Sequence, residues 1–224
     1  MIDLVLTAYL VALLPAYQLW RSLRKSNAPT TGRMARYLRT LAIATVPTAG
    51  VLAVWILEGR SWIALGLGLP IGGLAGLGVV VLALPVMGVG MRPKAMAGKT
   101  PPTAVTDMLP TTPGERLAFI VSTVVSCAAW ELLYRGYLLW VLSPRIGVPL
   151  AVIAAATAYG VAHGFKDARQ LLGSLASALV FTTAYAVSHS LWWLMLFHAG
   201  LPMLMLMAAP TRSGPAAAAS VAAP

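Results

Sequence analysis

The apolar residues of this chain fall into seven blocks, residues 2–20, 38–57, 63–90, 117–142, 148–164, 171–187 and 191–208. A bilayer crossing takes about 20 apolar residues at 1.5 Å rise each, and every block is near that length. Only 10% of the 224 residues are charged and the mean hydropathy is +0.81, whereas a soluble domain carries about 25% charged residues. Lipid is therefore the expected solvent. The predicted fold class is all-α: a polytopic transmembrane bundle of about seven helices.

Charge sets the expected orientation. Arg21, Arg24, Lys25, Arg33, Arg36 and Arg39 follow the first block; Arg92, Lys94, Lys99 and Arg116 follow the third; Lys166, Arg169 and Arg212 lie in the later loops of the same side. Only Arg60 and Arg145 fall on the other side, and Arg135 lies within a block. Cations collect in cytoplasmic loops, which predicts an outside N-terminus and a cytoplasmic C-terminus. Asp3, rather than a cation, precedes the first apolar run, so that run reads as an uncleaved helix and not a secretory signal. The net charge of +10 is accounted for by these loops, and no nucleic-acid partner is expected.

The chain divides at residues 91–116, a segment with five prolines that reads as a cytoplasmic linker. It separates a front three-helix scaffold unit, 1–90, from a rear four-helix unit, 117–208; the Ala-rich tail 209–224 is expected to be disordered. Gly68, Gly72 and Gly76 recur at four-residue spacing in the third block, a pattern for close helix contact in lipid, and Pro70 is expected to bend or delay that helix. The single cysteine, Cys127, excludes an intramolecular disulfide and reads as a packing residue.

Ionisable groups inside a membrane cost about 2.5 to 3.5 kcal/mol each and mark candidate functional positions. Here they are Glu131 and Arg135 in the fourth block, His163 in the fifth and His198 in the seventh, all in the rear unit. His189 falls in a loop between blocks and reads as solvated or interfacial. Glu131 and Arg135 stand at i, i+4 on one helix face, which fits an ion pair as well as a catalytic carboxylate. Tyr159 precedes His163 by one turn and is placed to orient it.

In this order the residues resemble the CPBP intramembrane proteases, also called the Abi or CAAX-protease family, to which the Ras-converting enzyme belongs. Glu131-Leu-Leu-Tyr-Arg135-Gly136 resembles the first motif, two adjacent glutamates, three intervening residues, then arginine and usually glycine. Tyr159-Gly-Val-Ala-His163 resembles the second, and His198-Ala-Gly-Leu-Pro202 falls where the third, histidine followed four positions on by asparagine or aspartate, should lie. The resemblance spans about residues 63–206. It implies a cavity within the bilayer where glutamate and histidine activate water against a peptide bond while a second histidine and asparagine stabilise the oxyanion. Two positions depart from the pattern: Trp130 stands at the first glutamate and Pro202 at the asparagine.

Two functions follow as expectations. The first is an endopeptidase of membrane-associated or prenylated substrates with Glu131, His163 and His198 as catalytic residues and Arg135 and Tyr159 in support. The second is a relative without turnover that binds a peptide, lipid or membrane partner, as Trp130 and Pro202 suggest. Two histidines and a glutamate could also hold zinc, but Arg135 beside Glu131 repels a dication, and no metal or cofactor is expected. The expected partners are membrane lipids and a membrane-associated peptide or protein; the sequence sets no oligomeric state. The compact loops fit a bacterial inner membrane.

Overall fold

The structure is a computed structural model that describes residues 1–24, 32–68, 74–96 and 108–208. Among the described residues the seven apolar blocks form seven helices: α1 Ile2–Leu23, α2 Arg33–Leu57, α3 Leu74–Met96, α4 Pro113–Ile146, α5 Val148–Ala162, α6 Ala168–Ser188 and α7 Trp192–Ala208. No strand occurs among them, and the fold is the polytopic helical bundle that the blocks imply. By length and composition α1, α2, α4 and α6 can each cross a membrane; α3, α5 and α7 contain shorter apolar stretches.

The distribution of polarity is that of a protein in lipid. Leu4, Leu82, Val86, Val180 and Val187 stand out on the surface, while Glu131 and Arg135 are buried. In water the reverse is the rule. α4 occupies the centre, packed against α2, α5 and α7; α1 packs on α5, and α3 on α7. Leu133, Tyr134, Tyr137 and Leu138 of α4 are wholly enclosed. At 15 residues α5 rises only about 22 Å, short of a hydrocarbon core of about 30 Å. Ala151, Ala155, Ala156, Ala158 and Gly160 bury its middle against neighbouring helices, while Val148 and Leu150 at its start are exposed.

Two boundaries differ from the hydropathy reading. The third block was expected to be helical over 63–90. Instead Trp62–Leu65 is a single 3₁₀ turn stopped by Gly66 at φ 75, and the helix proper runs Leu74–Met96. The Leu191 N–H donates to the Gly66 carbonyl at 2.9 Å and the Trp192 indole to the Gly68 carbonyl at 2.9 Å. Those bonds tie the segment to the α6–α7 turn and use carbonyls that a continuous helix would need. Gly68 therefore lies outside α3, while Gly76, within it, faces the Trp193 ring so closely that a Cβ would sit 3.0 Å from it. Gly72 and Pro70 lie outside the described residues.

The fourth block was expected at 117–142, and α4 is longer at both ends. Its start is set by a capping box, in which the Glu115 N–H donates to Thr112 Oγ1 at 3.2 Å and the Thr112 N–H to Glu115 Oε2 at 3.3 Å, with Pro113 in the first turn. Gly147, at φ 77, turns the chain directly into α5. The proposed linker 91–116 is thus helical at both of its ends; its centre, 97–107, and the tail 209–224 lie outside the described residues.

Candidate active site

The site begins at a fault in α4. Over Leu132–Tyr137 the helix opens into a π turn, a feature that recurs at functional positions because the wider turn re-aims side chains. Gly136 is required there, since a Cβ would stand 3.0 Å from the Leu65 carbonyl oxygen. Glu131 enters this turn and Arg135 lies within it, both 2% exposed.

Glu131 is fully engaged. Arg135 Nη1 donates to its Oε2, and His198 Nδ1, brought by α7, lies 2.8 Å from Oε1. A carboxylate in an ion pair only accepts, so His198 carries its proton on Nδ1 and presents Nε2 elsewhere. The Arg135 guanidinium also covers the Tyr159 ring at 4.5 Å, and its Nε has no partner among the described residues.

His163 ends α5. Its Nδ1 lies 2.9 Å from the Tyr159 carbonyl oxygen, an obligate acceptor, which fixes the proton on Nδ1 and leaves the Nε2 lone pair free. The Tyr159 ring meets the His163 ring edge-on at 4.4 Å between centroids. The Tyr159 hydroxyl lies 3.3 Å from His198 Nδ1. The two imidazoles are 6.4 Å apart, inclined by 27°.

Glu131, Arg135, Tyr159, His163 and His198 all line one cavity of about 190 Å³, whose remaining walls include Phe181, Leu194, Phe197 and Leu201. Sequence spacing thus named five residues that the fold brings together from α4, α5 and α7. Ser174, Ser177 and Phe181 of α6 complete the wall; only a tertiary contact reveals them, for no charge or motif marks them. His189 caps α6, exposed, away from this cavity.

Trp130 faces elsewhere. It lines a second chamber of about 220 Å³ with Gln18, Arg21, Arg39, Thr40 and His163, as the turn of about 100° between adjacent helical residues requires. Pro202 lies within α7, one turn beyond His198, and lines neither cavity. Among the described residues no group of three His, Cys, Asp or Glu side chains is arranged to hold a metal ion.

Comparison with known proteins bears on the same region. Residues 112–204, the whole of α4, α5 and α6 and most of α7, match the family model described as type II CAAX prenyl endopeptidase Rce1-like. No curated protein and no solved structure matches the chain. Every residue of the Glu131, His163 and His198 constellation falls inside the matched segment, and over that segment the chain is similar to the type II CAAX prenyl endopeptidases of the Rce1-like family.

Proposed function

We propose that this protein is a membrane-embedded endopeptidase that hydrolyses peptide bonds of membrane-associated, including prenylated, substrates in the cavity shared by α4, α5, α6 and α7. The observation that carries the reading is the convergence of Glu131, His163 and His198 on one cavity, open at the His163 side, with an otherwise largely apolar lining. In the proposed reaction His163 Nε2 takes a proton from water, because Nδ1 is committed to the Tyr159 carbonyl. The hydroxide attacks the scissile carbonyl, and His163 returns the proton to the departing amine. Protonated His198 donates from Nε2 to the oxyanion. Glu131 is then a positioning residue rather than the base: one oxygen orients His198 and the other binds Arg135. Phe181, Phe197 and Leu201 receive the apolar part of the substrate. The arginine-rich end is proposed to face the cytoplasm, as in a bacterial inner membrane.

The test is cleavage of a membrane-tethered prenylated peptide by the purified chain in liposomes, read by mass spectrometry. His163→Ala should lower the rate about 10² to 10⁴-fold; an unchanged rate would sink the assignment. A second reading, ligand binding without turnover, is favoured by the engagement of both Glu131 oxygens and by Trp130 in place of an acid. It expects an inert parent in the same assay, with cleavage appearing in W130E/P202N.

A further inference from the structure

The second chamber differs from the first in kind. Arg21 comes from the last turn of α1 and Arg39 from the second turn of α2, and they meet Gln18, Thr40, Trp130 and His163 around about 220 Å³. Two guanidiniums from separate helices directed at one space call for an anion.

Nothing described within the protein supplies one. Of the six acidic residues, Asp3 and Glu58 hold Arg60 at the opposite end of α1, and Glu131 is taken by Arg135 and His198. Glu115 accepts from Thr111 and Thr112, and Asp167 caps α6 through the Gln170 N–H. Asp107 lies outside the described residues. Among the described residues, then, neither Arg21 nor Arg39 has a carboxylate partner. The C-terminal ends of α1 and α5 also point here and carry partial negative charge, but two full positive charges outweigh them.

The chamber's setting chooses among anions. Its outer walls are α1 and α2; Arg21, Arg39 and Thr40 are exposed at its mouth, and about two turns farther along the same helices the exposed residues are apolar, Leu13 at 63% and Val46 at 70%. Trp20 and Tyr17, half exposed at the same end of α1, are the residue types that sit at the headgroup level. An amphipathic ligand thus finds cations at the depth of its phosphate and an apolar surface for its chains. Basic pockets between helices at this depth suit anionic headgroups.

We propose that the Arg21 and Arg39 chamber binds the phosphate of an anionic phospholipid headgroup. The chamber shares Tyr159 and His163 with the cavity of the proposed hydrolysis, but its anion is held by Arg21 and Arg39, and the test reads bound lipid rather than cleavage. Purified full-length chain is titrated with phosphatidylglycerol or phosphatidylcholine and examined by native mass spectrometry. The wild type should retain phosphatidylglycerol in preference to phosphatidylcholine. R21Q/R39Q should bind it about tenfold or more weakly, since each charge-assisted contact counts for more than a neutral one. R24Q, whose guanidinium stacks on Trp20 outside the chamber, should bind as the wild type does. Should the double variant fail to fold by circular dichroism, R21Q and R39Q singly should each weaken binding about fivefold. Retention by the folded variants equal to the wild type overturns the site. Full displacement of the lipid by millimolar inorganic phosphate overturns the lipid assignment in favour of a soluble oxyanion, and displacement by a peptide with a free but not an amidated C-terminus overturns it in favour of a peptide carboxylate.

Discussion

Glu131 is the residue on which most of the rear bundle's polar balance turns. Its charge offsets that of Arg135, which is buried to the same degree, and removing one member of a buried pair costs about 3 to 5 kcal/mol because the other is left uncompensated. Glu131→Gln should therefore destabilise the protein by about that amount, measured by reversible denaturant unfolding in micelles. E131Q/R135M should recover most of the loss; a double variant as unstable as the single one would mean that the pair is not what holds these side chains. The i, i+4 spacing made this pairing legible in the sequence. It could not show that the second Glu131 oxygen is taken by His198, 67 positions away, because such a contact depends on how α7 docks. The direction of Trp130 was legible, since neighbouring residues on a helix cannot share a face. What fills the space before it, Arg21 and Arg39 from the front helices, was not.

At the scale of elements, hydropathy located all seven helices because lipid demands one long apolar run per crossing. It could not find the start of α3, since residues 63–90 are apolar throughout, and the interruption at Gly66 is fixed by a partner on the far side of the chain, the Leu191 N–H. The start of α4 was within reach of sequence reasoning, for Thr112, Pro113 and Glu115 spell a capping box that hydropathy ignores. Close helix contact offers a direct check. A Cβ on Gly160 of α5 would lie 2.8 Å from Leu175 Cδ2 and 3.0 Å from Leu175 Cα of α6. A side chain end can move but a backbone atom requires the helices to part. Gly160→Ala should thus lower stability by about 1 to 3 kcal/mol, while Gly50→Ala, where a Cβ meets nothing within 4 Å, should be neutral or slightly stabilising in the same unfolding measurement.

Over the whole molecule, the two ends are held by different means. One end carries the basic chamber. The other is tied by Asp3, which accepts from Arg60 Nη1 at 2.9 Å and Nη2 at 2.6 Å and from the Tyr137 hydroxyl at 2.8 Å. Arg60 is enclosed further by the Trp55 and Trp140 rings, and Asp3 raises its pKa through these bonds. Asp3→Asn keeps the shape but removes the charge, and should cost about 1.5 to 3 kcal/mol, read as a lowered melting temperature; no change would show the clasp to be incidental. Sequence reasoning placed Asp3 and Arg60 on the same side but could not pair them, since loop charges reveal side and not partner. Through Tyr137, this clasp reaches the π turn that carries Arg135. Its three members are also made at different times. Arg60 follows Asp3 by 57 residues and Tyr137 follows it by 134, and at about 5 to 20 residues per second the first bond can close roughly 3 to 11 s after Asp3 is made, the second only after roughly 7 to 27 s. The first two helices can therefore be joined before the helix that bears the site has been synthesised, so that α4 arrives to find its anchoring carboxylate already held in place.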